Sequence, residues 1–145
     1  MAPNEKGMIM MACAEKFGAG AVRNILRHNR REIEHSSNHD IDPKRLERDY
    51  ILSPDRGMTE YDYFLQRKSE LYCYNRNDVK VMAGWAVTAP QDLDPERYDD
   101  FFCATYDFLA NRYGEENVVQ AIVHDDEGGQ PHLHFCFIPV EEDLK

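Results

Sequence analysis

The segment running from His124 through Asp125, Asp126, Glu127, Gly128, Gly129, Gln130 and Pro131 to His132, Leu133 and His134 constrains the fold of this chain more than any other. It lies between two apolar runs. Val118–Val123 is rich in β-branched residues and Phe135–Val140 is apolar and aromatic, so both read as strands. The acidic stretch between them, with its Gly-Gly and Pro, reads as a hairpin loop. Side chains on a strand alternate, so His132 and His134 project from one face. His124, at the end of the partner strand, sits across from them where the pairing register allows. Three of the six histidines can therefore converge within eleven residues. Three neutral imidazoles on a rigid sheet make an open metal site, with positions left for water or a phosphate oxygen. Glu127 is placed either to orient a ligand histidine or to join the metal. Asp125 and Asp126 read as a solvated loop.

The rest of the chain supplies a sheet and helices to carry this hairpin. Met8–Ala14 reads as a first strand. Ala21–Glu34 reads as a helix, with Val22, Ile25, Leu26 and Ile33 as its apolar stripe. Residues 35–43 are polar and turn-rich, and Leu46–Leu52 holds a short extended segment. Thr59–Tyr74 favours helix and Val79–Thr88 a strand around Trp85. Pro95 suits a helix start, with Glu96–Arg112 continuing to a C-cap at Gly114. This order gives an α+β domain, a largely antiparallel sheet with helices packed on it. At 145 residues the chain is read as one domain, 1–145.

Charge and cysteine usage narrow the setting. A net charge of −10 argues against nucleic acid as a partner, but its distribution does not. Arg23, Arg27, Arg30, Arg31, Lys44, Arg45 and Arg48 fall within one quarter of the chain, whereas the acid is concentrated in 92–100, 115–127 and 141–143. Screening confines a surface field to about 10 Å, so a local basic face can still bind phosphate. Cys13, Cys73, Cys103 and Cys136 form no CxxC pair. Together with the absence of a signal-like N-terminus or a membrane-length apolar run, they give a cytoplasmic protein with free thiols.

A second cluster, Arg27-His28-Asn29-Arg30-Arg31, falls on the first helix, with His28 on the flank of the apolar stripe. Phosphodiester chemistry needs cationic groups around the phosphate and a nucleophile in line, so a basic helix beside a metal site points that way. His124-Asp-Asp-Glu127 followed by Pro131-His132-Leu133-His134 and a strand ending in Ile138-Pro139 resembles the metal-binding block of the Mob/Pre plasmid mobilisation relaxases. These belong to the His-hydrophobe-His endonucleases. His28-Asn29-x-Arg31, Asn38-x-Asp40-Ile41-Asp42, Asp49-Tyr50-x-Leu52, the Trp85 strand and Tyr113-Gly114-Glu115 are similar to further blocks of that family, in the same order. The resemblance spans roughly residues 9–141.

The resemblance implies a relaxase-like fold and a metal-dependent enzyme that nicks and rejoins one strand of plasmid DNA at an origin of transfer, acting in mobilisation and recombination. It makes His28 the nucleophile, attached to the 5′ phosphate through a phosphoramidate. His124, His132 and His134 become the metal ligands, with Mn2+ or Mg2+ expected and Zn2+ as a further candidate. Glu127 matches the family's acidic residue. Arg27, Asn29, Arg30, Arg31, Asn38 and Tyr50 become contacts to single-stranded or supercoiled plasmid DNA. Family members continue past the point where this chain stops, with more of the relaxase domain and helical regions for homodimerisation, so a short or truncated member is expected.

Three other readings remain. A tyrosine could be the nucleophile, with Tyr50 best placed and Tyr106 and Tyr113 behind it. A histidine-triad nucleotide hydrolase would need a histidine where Cys136 stands. A DNA-binding remnant could keep the metal site without turnover.

Overall fold

The computed structural model describes residues 12–31, 49–73, 76, 78–125 and 129–141. Its centre is one five-stranded antiparallel sheet. In chain order the elements are β1 (Ala12–Gly18), α1 (Ala19–Asn29), β2 (Tyr50–Ile51), α2 (Glu60–Ser69), β3 (Lys80–Thr88), α3 (Tyr98–Tyr113), β4 (Val118–His124) and β5 (His132–Phe137). The strands lie side by side as β1-β3-β5-β4-β2, every neighbouring pair antiparallel. The α+β architecture expected from the sequence is the one found.

The pleat of β5 divides the core in two. Leu133, Phe135 and Phe137 face α3, packing with Phe102, Tyr106, Leu109 and Ala110 and with Val118, Ala121 and Val123. Cys136, on the alternate face, packs with Val22 and Leu26 of α1, Phe64 of α2, and Met82, Val119 and Ile138. Helices thus cover both faces, which is why β4 is buried along its whole length and is apolar apart from Gln120 and His124. His132 and His134 share the face of Cys136, so they lie on the α1 side. Among the described residues no helix is long and apolar enough to cross a membrane.

Several boundaries differ from the sequence reading. The first strand is described over Ala12–Gly18 and so runs past the expected end at Ala14, while Met8–Met11 lie outside the described residues. Helix α1 starts at Ala19 and ends at Asn29, five residues before Glu34. Arg31 then takes φ 59, a left-handed conformation that turns the chain off the helix axis. Helix α2 stops at Ser69 rather than Tyr74. The last strand is His132–Phe137 rather than Phe135–Val140. Pro139 has no N–H for a ladder, and the Ile138 N–H already donates to the Asn117 carbonyl at 2.8 Å. The expected stop at Gly114 holds. Its φ of 93 is open to glycine, and a Cβ there would lie 2.7 Å from Glu116 Oε1.

Candidate metal centre

Register brings the three histidines together. His124 pairs directly with His132 across β4 and β5, and His134 lies two residues further along, opposite Ile122 on one side and Ala86 on the other. The ring centroids are 5.5 Å apart for His124–His132, 4.6 Å for His124–His134 and 4.8 Å for His132–His134. One ring nitrogen from each lies within 4.8 Å of the others. Two metal–nitrogen bonds of about 2.0–2.1 Å span at most about 4.2 Å, so small side-chain shifts close the cluster around one ion.

Two features prepare these imidazoles to be ligands. His124 is 1 % exposed, and its Nε2 lies 2.6 Å from the Asn29 carbonyl oxygen. A carbonyl only accepts, so Nε2 carries the proton and Nδ1 keeps the lone pair a metal needs. His134 is driven down to about 2, first by burial and then by its neighbours His124, His132, Arg31 and His28. It therefore stays neutral, the form that binds metal. The donor set fits a divalent ion with an appetite for nitrogen. Manganese and zinc suit it, whereas magnesium takes oxygen ligands and keeps its waters.

The end of α1 overhangs this cluster. His28 is half-buried and lines one cavity together with His134. Arg31 is also half-buried, its Nε 4.0 Å from Asp49 Oδ2, and near enough to His134 to influence its titration. Arg27 is exposed and lines a groove between α1 and the start of α2.

The remaining expected site residues are engaged elsewhere or lie outside the described residues. Asn29 is 5 % exposed, and its Nδ2 donates to Gln120 Oε1 at 3.0 Å and to Cys136 Sγ at 3.6 Å. It holds the helix to the sheet. Arg30 forms a bidentate pair with Glu60, with Nε 2.6 Å from Oε1 and Nη2 2.5 Å from Oε2. Tyr50 pairs with Val123, whose side chain belongs to the α3 core, so its phenol turns away from the histidines. Its hydroxyl donates to Asp99 Oδ1 at 2.7 Å. Asn38 and Glu127 lie outside the described residues.

Sequence reasoning passed over Gln120. It is fully buried, accepts from Asn29, and donates through Nε2 to the Leu26 carbonyl at 3.0 Å and to Glu60 Oε1 at 3.2 Å. One amide thereby fixes the last turn of α1, which carries His28 and the carbonyl that orients His124. The available signal was a lone glutamine inside Val118–Val123, since a polar side chain in a fully buried strand requires partners. Gln120→Leu is expected to cost about 2–4 kcal/mol in denaturant unfolding and to weaken manganese binding roughly tenfold. An unchanged unfolding midpoint would show that the network does not hold α1.

Cys136, at the position a histidine-triad hydrolase needs for its nucleophile, is buried and pushed up to about 12 by that burial, then by the charges of Glu60 and Glu15. It is an inert core thiol.

The plasmid recombination enzyme family matches this chain over residues 7–145. A plasmid recombination enzyme of Streptococcus agalactiae is 33 % identical over 141 residues, covering 91 % of this chain and 28 % of its own length. The type 1 enzyme of Staphylococcus aureus is also 33 % identical, over 92 % of this chain and 35 % of its own. This chain thus spans about a third of the curated relatives it matches. Among solved structures, the manganese-bound MobM relaxase domain in complex with pMV158 oriT DNA superposes with a TM-score of 0.76. It is 32 % identical, with 90 % of this chain and 70 % of that one covered.

Proposed function

This chain belongs to the plasmid recombination enzyme family, and on that premise we propose that it is a relaxase-type domain that nicks and rejoins one strand of plasmid DNA. The observation that carries this reading is the placement of His28 beside the His124, His132 and His134 cluster, in a cavity it shares with His134. A nucleophile and a metal site side by side, roofed by a basic helix end, form the arrangement phosphoryl transfer requires.

The His28 imidazole attacks phosphorus through its neutral nitrogen. An N–P bond forms and the P–O3′ bond breaks; the 3′ oxygen leaves as an alcohol after taking a proton from solvent. The 5′ phosphate stays on His28 as a phosphoramidate, and attack by a 3′ hydroxyl reverses the step to rejoin the strand. His124, His132 and His134 would hold a divalent ion, manganese before zinc or magnesium, which would supply positive charge beside the phosphate when bound. Arg31, half-buried beside Asp49 and near His134, and the exposed Arg27 keep their proposed role as phosphate contacts, whereas Arg30 is paired with Glu60 and Asn29 is turned inward. Glu127 and Asn38, outside the described residues, keep the roles the family resemblance gives them, in orienting a metal ligand and in holding DNA. The substrate is single-stranded or supercoiled plasmid DNA at an origin of transfer, as the relatives' names and the MobM complex suggest.

The test is to incubate manganese-loaded protein with single-stranded oligonucleotides tiling the DNA upstream of its own gene and to look for a covalent adduct on a denaturing gel. A site-specific adduct is expected. Tyr50→Phe is expected to form it within about twofold of the wild-type rate. Burial, followed by the hydrogen bond and charge of Asp99, raises the Tyr50 phenol well above its ordinary range, which makes its phenolate scarce at neutral pH. Loss of the adduct in Tyr50→Phe would instead favour the tyrosine mechanism.

A further inference from the structure

Resting on the nicking reading above, we propose that the cavity between α1 and the β1–β3 edge of the sheet receives the nucleobase next to the scissile phosphate, and that Glu15 reads that base's donor edge. The cavity holds about 280 Å³, at the lower end of small-ligand pockets. That is room for one ring system rather than a base pair.

Its shape follows from the strand register. Cys13, Ala86 and His134 form one cross-strand row, and Glu15, Gly84 and Cys136 form the next on the same face. Glu15 therefore sits one row from a metal ligand. Two small residues, Gly84 and Ala86, make a low floor. A Cβ on Gly84 would lie 3.3 Å from Phe17 Cε2 and 3.6 Å from Cys136 Sγ, so the glycine lets the Phe17 ring settle against the sheet as one wall of the cavity. Ile25 and His28 line the cavity from α1.

The cavity is continuous with the proposed chemistry, since His28 and His134 both line it. A phosphate at His28 brings the base of one flanking nucleotide to the opening. A base turned out of its stack is held between apolar walls and read on its Watson–Crick edge. Phe17 and Ile25 supply such walls, and Glu15 supplies an acceptor-only carboxylate. Guanine offers two parallel donors, N1–H and N2–H, and forms the best pair. Cytosine and adenine offer an exocyclic amine. Thymine places carbonyl oxygens on both sides of its single N–H and is repelled. The pocket thus selects guanine and rejects thymine.

The experiment uses the full chain, manganese, and oligonucleotides that carry each of the four bases on either side of the cleaved bond. Single-turnover adduct formation and equilibrium binding by fluorescence anisotropy are measured for wild type and Glu15→Gln. Glu15 is exposed on an edge strand, so the variant is expected to fold. Wild type is expected to favour guanine over thymine at one of the two positions by tenfold or more. Glu15→Gln should reduce that ratio to about threefold or less, because an amide can donate to a thymine carbonyl. Equal base preference in the two proteins would overturn the proposal. So would a uniform loss of rate with all four bases, which would make Glu15 a positioning residue for His28. If wild type forms no adduct but binding still shows the Glu15-dependent preference, the pocket stands and the nicking reading falls. Binding without base preference removes the pocket.

Discussion

His28→Ala is expected to abolish the covalent protein–DNA adduct and to lower oligonucleotide cleavage by about 10³-fold or more. Manganese affinity should change by less than about threefold. The two readouts separate because the link between α1 and the metal ligands runs through backbone and not through the His28 imidazole. The Asn29 carbonyl accepts from His124, and Gln120 holds the Leu26 carbonyl and the Asn29 amide. Both survive the substitution. A DNA-binding remnant would bind the oligonucleotides equally well with and without His28 and form no adduct with either protein.

Removing a metal ligand should fail differently. His134 lies 4.6 Å from His124 and 4.8 Å from His132 by ring centroid, closer to each than they are to one another. His134→Ala leaves two imidazoles, and manganese affinity is expected to fall at least 100-fold. Cleavage should fall with it and recover only in part at high manganese. Treating the wild-type protein with a chelator should produce the same loss, reversed fully by manganese or zinc. Isothermal titration of the metal and the denaturing-gel assay read the two effects. Undiminished cleavage after chelation, with metal removal confirmed, would separate the histidine cluster from the reaction.

The histidine cluster was legible because it rests on the most reliable periodicity in a chain, the alternation of a strand. Spacing alone put His132 and His134 on one face, and a short hairpin put His124 opposite them. The α+β class was legible for the same reason, from the apolar runs around Trp85 and in Val118–Val123.

What escaped the sequence depends on partners distant along the chain. Asn29 and Arg30 are polar residues on a helix, and nothing local shows that one is held by Gln120 and the other by Glu60. The resemblance therefore carried both over as DNA contacts without sight of these partners. Tyr50 escaped for a topological reason. Its pairing with Val123 decides which face of the sheet the phenol takes, and that register is set by tertiary packing. The end of α1 moved because Arg31 takes a left-handed conformation that no propensity scale assigns to arginine.

The most direct test of the central claim is to identify the residue that carries the DNA. The adduct formed with manganese would be trimmed by nuclease, digested with protease, and mapped by mass spectrometry before and after mild acid. The account requires the nucleotide mass on the peptide containing His28 and its loss in acid, since a phosphoramidate is acid-labile and a tyrosine phosphodiester is not. An acid-stable mass on the Tyr50 peptide would contradict it, as would the absence of any modified peptide from protein with confirmed metal occupancy.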